Sequence, residues 1–213
     1  MVKKRKLSQS KTINAIIPLK RNNRKFNLII SSTANLRVSI DTILKYNLKE
    51  GLVLSESDLE AIISFDQIQN LKDMVLNYLS YRSRSKNEIL LHFLKKGFQR
   101  KNIEFVIEEL ESKGYVDDEQ FAKIYASNLI EVKLLGINAV MNKFHKHKIN
   151  RELVDKIVSG IYEKNPPKDL IKIILHKKFQ LGNEDLNRNQ RIINYLKRKG
   201  FLWEEIVEAL NQF

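Results

Sequence analysis

The stretch Glu88–Leu110, "EILLHFLKKGFQRKNIEFVIEEL", carries apolar residues three and four apart on both sides of a basic turn, the pattern of two amphipathic helices. It recurs. "AVMNKFHKHKINRELVDKIVSGI" (Ala139–Ile161) and "RIINYLKRKGFLWEEIVEALNQF" (Arg191–Phe213) align with it without gaps, placing Phe98, Ile149 and Phe201 in register, 51 and then 52 residues apart. Ile103, Val154 and Ile206 follow in register, and Phe93, Phe144 and Leu196 precede them. A further helical segment stands before each pair, at 71–82, 118–129 and 168–179. Such three-helix units are too small to bury their apolar stripes alone, so they are expected to pack on their neighbours. The predicted fold is mainly α: three tandem three-helix repeats, 67–116, 117–165 and 166–213, forming an elongated curved rod.

Upstream the pattern changes. Residues 1–10 are expected to form a disordered basic tail, and 11–66 a small N-terminal β hairpin or three-stranded β segment followed by short helices. "TINAIIPLK" (Thr12–Lys20) and "RKFNLIIS" (Arg24–Ser31) are β-branched and aromatic runs on either side of the polar "RNNR", and "NLRVSI" is a possible third strand. Pro18 marks its strand as an edge. "SIDTILKYNLKEG" reads as a short helix stopped by Gly51. Ser55, with Asp58 three residues on, is a helix N-cap, and Ser85 with Glu88 has the spacing of a capping box. Gly97 and Gly200 occupy the helix stop in the first and third pairs, where the second has Lys148, a costlier residue for a left-handed conformation.

Composition agrees with a helical core. The 213 residues are 43% apolar, and only seven Gly and three Pro leave few signals for the turns of an all-β protein. The absence of Cys excludes a disulfide framework and thiolate metal sites. "MVKKRKLSQSK" has no apolar run behind its charges, and no window approaches a membrane span, so a cytoplasmic protein without a membrane partner is expected. The formal charge of +13 points to a polyanionic partner. Ten Lys or Arg residues precede the first acid, Asp41, and no acid lies between Asp185 and Glu204.

Asp117 and Asp118, side by side in "SKGYVDDEQFA", could suggest a metal-dependent nuclease. Adjacent residues at a helix start point apart, however, and Asp117 is well placed as the N-cap of a helix beginning near Glu119. Here the chain resembles a family. "YRSRSKNEI" followed by "LESKGYVDDEQFA" is similar to the signature of the RecX regulatory proteins, which modulate the recombinase RecA. The R-x-R-S-x-x-E element is matched by Arg82, Arg84, Ser85 and Glu88. The G-Φ-Φ-D-D-x-x-F-A element is matched by Gly114, Tyr115, Val116, Asp117, Asp118, Phe121 and Ala122. The basic β-like start is similar to that of Gram-positive-type members, and the resemblance spans residues 11 to 213. "HKHKI" replaces the usual K-G-Φ turn of the middle unit, and Asn128 stands near a place where members tend to have Arg.

No phosphate loop, nucleophile elbow or H-E-x-x-H motif is present, so neither an active site nor a cofactor is expected. His145 and His147, two apart, do not share a helix face, and a solvated turn is expected there instead of a metal site. The functional candidates are the basic turns: Lys95, Lys96, Arg100 and Lys101; Lys143, Lys146, Lys148 and Arg151; Lys197, Arg198 and Lys199. Dipole complementarity at helix ends accounts for part of this excess of charge. Side-by-side units would line the turns up as a stripe suited to a phosphate backbone. Arg21, Arg24 and Lys25 add charge at the hairpin, and Trp203, which takes the place of Arg100 and Arg151, is the one aromatic expected to touch a partner. The resemblance implies a non-enzymatic regulator binding the RecA filament, with single- or double-stranded DNA as a further partner. A rod with polar ends can be a monomer. The alternative is a stand-alone DNA-binding protein with no recombinase partner.

Overall fold

The computed structural model describes residues 11–20, 22–31, 35–179 and 189–212; the expected tail 1–10 and Arg21 lie outside them. The chain divides into two compact units, Met1–Tyr81 and Arg82–Phe213.

Among the described residues the first unit holds an antiparallel sheet of four strands, one more than expected. Strands β1 (Lys11–Leu19), β2 (Asn22–Ile30) and β3 (Leu36–Ser39) follow the β-branched runs. The added strand, β4 (Val53–Leu54), pairs with Lys11 and Thr12 on the free side of β1, giving the order β3-β2-β1-β4. Pro18 lies beyond the reach of β4 and pairs only with Phe26 of β2, so the missing N–H of proline costs the sheet nothing there. Helix α1 (Ile40–Lys45) is capped by Ser39, whose side chain accepts from the Thr42 N–H. It does not run to Gly51. It ends at Tyr46, and Asn47 takes the left-handed conformation at φ 46°, which Asn tolerates. Gly51, at φ 82°, sits in the next turn and donates its N–H to the Ile13 carbonyl at 2.8 Å.

Helix α2 (Glu56–Ser80) starts in a complete capping box, Ser55 and Asp58 each satisfying the other's backbone N–H, and runs unbroken past residues 66 and 67. Its Asp66 is buried and accepts from the Ser39 N–H at 2.6 Å and the Thr42 hydroxyl at 2.7 Å, fixing α2 to the start of α1. Ile13, Leu28, Val38, Leu54, Leu59 and Ile62 form the apolar core of this unit.

The second unit is helical. Three helix–turn–helix pairs are described: α3 (Lys86–Lys95) with α4 (Arg100–Ser112), α6 (Ile137–Phe144) with α7 (Arg151–Lys164), and α9 (Asn189–Lys199) with α10 (Trp203–Asn211). Helix α5 (Asp118–Ser127) packs on α7, and α8 (Pro167–Ile174) packs on α10. Both α5 and α8 finish in a five-residue π turn, Asn128–Val132 and Leu175–Phe179. Val140, Phe144, Val158, Ile171, Leu196 and Ile206, all on the apolar register, are buried in one core.

Candidate functional site

The turns inside the three pairs share one backbone solution. Gly97 and Gly200 have φ of 88° and 87°, and Lys148 stands in the same left-handed region at φ 54° despite its Cβ. A 3-10 turn, His145–His147, leads into Lys148.

Each later turn is hydrogen-bonded to the start of the preceding pair. The Lys146 carbonyl accepts from the Asn87 side-chain amide at 2.7 Å, and the Ser85 hydroxyl lies 2.8 Å from His147 Nδ1. One pair on, the Lys199 carbonyl accepts from the Gly136 N–H at 2.9 Å and the Gly200 carbonyl from the Asn138 N–H at 3.1 Å. Ser85 and Gly136 are the N-caps of α3 and α6, so the two seams are built at equivalent places. The second turn therefore sits at one end of α3 and the first at the other, about 15 Å apart for ten residues of helix. Likewise α6 and its 3-10 turn separate the third turn from the second by about 18 Å.

The side chains of these turns point outward. Lys95, Lys96, Arg100, Lys101, Lys146, Lys148, Arg151, Lys197 and Arg198 are all exposed. Arg100 pairs with Glu104 at 3.1 Å and Arg151 with Asp155 at 3.6 Å, exposed contacts worth a few tenths of a kcal/mol. Lys199 differs: it is half-buried and its Nζ donates to the Lys133 carbonyl at 2.6 Å, so it belongs to the seam. Trp203 is 50% exposed at the first position of α10, with Lys197 Nζ 4.8 Å from its ring centroid. In the first unit, exposed Arg24 lies 3.6 Å from Asp41, and half-buried Lys25 donates to Asn70 Oδ1. Lys25 thereby ties β2 to α2.

The paired motif residues converge on the start of α3. Ser85 caps it, accepting from the Glu88 N–H at 3.2 Å. The expected reciprocal half of the box is replaced: Glu88 accepts from Arg82 at 2.5 Å and Arg84 at 2.7 Å, because charge-assisted bonds to two guanidiniums outweigh one to a neutral N–H. Burial acts to raise the Glu88 carboxyl, yet those two bonds hold it below the ordinary carboxylate value. Asp117 caps α5, its Oδ1 accepting from Glu119 and Gln120 at 2.8 and 2.9 Å, and the helix begins at Asp118, one residue earlier than expected. Asp118 turns away and accepts from the Lys86 N–H at 2.8 Å, capping α3 from a different helix. Burial raises its pKa, opposed by that bond and by the Lys86 charge. The two carboxylates serve two helices and do not converge.

His147 corrects the expectation of a solvated turn. Only 4% exposed, it lies between Phe121, at 4.8 Å between ring centroids, and Tyr125, at 4.9 Å. Its Nδ1 meets Ser85, its Nε2 is buried without a hydrogen-bond partner among the described residues, and burial lowers its pKa, aided by the Lys146 charge. His145 is exposed, as read from the sequence. Phe121 and Ala122 are buried beside this turn in α5, Val116 is buried, and Tyr115 is 61% exposed. Gly114 ends α4 at φ 76°.

No family model matches the chain. Regulatory protein RecX of Staphylococcus carnosus is 28% identical over 194 residues, 90% of this chain and 72% of that protein. The Staphylococcus epidermidis and Listeria monocytogenes proteins of the same name are 25% and 26% identical, covering 91% and 90% of this chain and 72% of each relative. A crystal structure of regulatory protein RecX superposes with a TM-score of 0.72 at 20% identity, over 95% of this chain and all of that one. This chain is similar to the RecX regulatory proteins along nearly its whole length. The crystal structure of RecX from Lactobacillus salivarius shares the fold over 70% of this chain and 99% of its own, with a TM-score of 0.56 at 18% identity. Of the RecX-like motif residues, Ser85, Asp118 and Phe121 lie at the seam just described. Among the described residues, no helix is long and apolar enough to cross a membrane.

Sequence reasoning missed Asn87 and His147, the two side chains that join the second turn to α3. The one available signal was the departure at "HKHKI" itself: a turn that gives up its glycine has compensating contacts elsewhere.

Proposed function

We propose that this chain is a non-enzymatic regulator of RecA–DNA filaments in the cytoplasm, inhibiting ATP hydrolysis and strand exchange and so restraining recombinational DNA repair. In this reading the three-helix units act as a tandem array that lies along the filament as a monomer, with the basic turns facing DNA. The observation that carries it is the serial order of the turns. They succeed one another at intervals of about one helix length, with Lys95, Lys96, Lys146, Lys148, Lys197 and Arg198 outward at each. A polymer with a phosphate every few ångströms can be met several times by such an array. The similarity to RecX regulatory proteins supplies the choice of filament.

Purified RecA filaments titrated with the protein test this directly. The expected result is a fall in ATP hydrolysis and in filament length; no change in either overturns the reading. On bare duplex DNA, six engaged phosphates give a slope of log K against log salt of about −5. Stronger binding to bare than to RecA-coated DNA at matched salt would favour a DNA-binding protein without a recombinase partner.

A further inference from the structure

The first residue of the second helix in each pair occupies the same place: Arg100 in α4, Arg151 in α7 and Trp203 in α10. All three are exposed, so none is held there by a core. Two copies use the place for a cation and the third for the only tryptophan in the chain. The cations of the third pair lie instead on α9. Arg191, Asn194, Lys197 and Arg198 line a shallow hollow on its exposed surface. Lys197 reaches from that surface to the Trp203 ring. Its ammonium fixes the indole through the ring's negative face, a contact worth most when a further group covers the ring.

An exposed indole beside a row of cations has the two parts that hold a single strand, a stacking surface for a base and positive charge for the adjoining phosphates. Duplex DNA supplies only the second, because its bases are already stacked. We infer that the third helix pair is a single-strand site, in which one unpaired base stacks on Trp203 while Lys197, Arg198 and Arg191 hold the flanking phosphates. This rests on the nucleic-acid reading above and deepens it by assigning one turn to unpaired bases. Phosphate contact alone falls to the other two turns.

Because Trp203 is the sole tryptophan, its fluorescence reports this place alone. The full chain is titrated with an end-labelled oligothymidylate and with a blunt duplex, binding being followed by anisotropy of the label and stacking by tryptophan emission at the same concentrations. The expected result is quenching by the single strand at saturation and little by the duplex. Trp203→Ala weakens single-strand binding roughly tenfold and leaves duplex binding within twofold, while Trp203→Phe retains most of the single-strand affinity. Unchanged emission at saturation, or equal losses on both nucleic acids, overturns the stacking site and leaves the filament reading standing. Absence of oligonucleotide binding by anisotropy would overturn the single-strand site, while the filament reading stands or falls on the RecA titration. Circular dichroism of the Ala variant, at an exposed position, separates lost contact from lost fold.

Discussion

Gly97 and Gly200 make a matched experiment on whether the helix pairs are joined through their turns. The two residues hold the same place in the repeat and nearly the same φ, 88° and 87°. Alanine at either position incurs the left-handed conformation, about 1–2 kcal/mol, partly offset by the reduced freedom of the unfolded chain. At Gly97 the added Cβ meets nothing within 4 Å, so a net cost of about 1 kcal/mol is expected. At Gly200 it would stand 2.3 Å from the Ala139 nitrogen and 2.5 Å from the Ala139 Cβ. Backbone must therefore part from backbone. The Gly136 N–H and Asn138 N–H lose their carbonyl acceptors in the third turn, at about 1–3 kcal/mol for each group left unsatisfied. Gly200→Ala is expected to cost about 3–7 kcal/mol in all. Thermal unfolding followed by circular dichroism should show a fall of a few degrees for Gly97→Ala and on the order of 10 °C or more for Gly200→Ala. Equal shifts would refute the seam as the source of the difference.

The remaining predictions concern the same seams. Lys148→Gly relieves a left-handed residue bearing a Cβ and should stabilise by about 0.5–1 kcal/mol in a denaturant titration. His147 is held neutral in the folded chain, its pKa below the ordinary 6.5 through burial and the Lys146 and Arg82 charges, with Glu88 opposing. The unfolded chain then binds the extra proton first, so stability is full above about pH 6.5 and falls as pH drops below it towards the folded pKa. The fall should be shallower in His147→Gln, with His92, shifted in the same direction, leaving a residual slope; denaturant midpoints between pH 7.5 and 5 measure both. Asp118→Ala removes the acceptor from the first N–H of α3 and should cost about 1 kcal/mol by chemical denaturation, with no effect of added magnesium.

Much of this was legible because periodicity is local. The helix pairs follow from apolar spacing around Phe98, Ile149 and Phe201, and the Asp117 cap from the preference of unpaired N–H groups for a carboxylate. What escaped depends on partners far along the chain. Strand β4 is two residues long and exists only because Lys11 and Thr12 offer an edge. Asn47 took the helix end that Gly51 advertises, since a six-residue helix finished sooner than its pattern. His147 reads as polar in the company of Lys146 and Lys148, yet its neighbours are Phe121, Tyr125 and Ser85, which no spacing rule brings to it.

In the proposed reading the turns meet two demands with different atoms, and this decides how that reading can be dissected. Their backbones face inward: the carbonyls of Lys146, Lys199 and Gly200 are the acceptors that join one pair to the next. Their long side chains face out; among the described residues of the turns Lys199 donates its ammonium to a seam carbonyl, and the Lys146 charge acts on the neighbouring His147 without a bond to it. Removing Lys146, Lys148, Lys197 or Arg198 therefore leaves the seam bonds intact, so a loss of binding in those variants is a loss of contact. Lys199 cannot be used in this way. Its ammonium holds the Lys133 carbonyl, and a Lys199→Ala variant that bound DNA poorly would report a loosened joint as readily as a missing phosphate contact. A charge-reversal series that spares Lys199 and records stability beside affinity should find the two uncorrelated; a common decline would mean that the cations maintain the array and do not read the polymer.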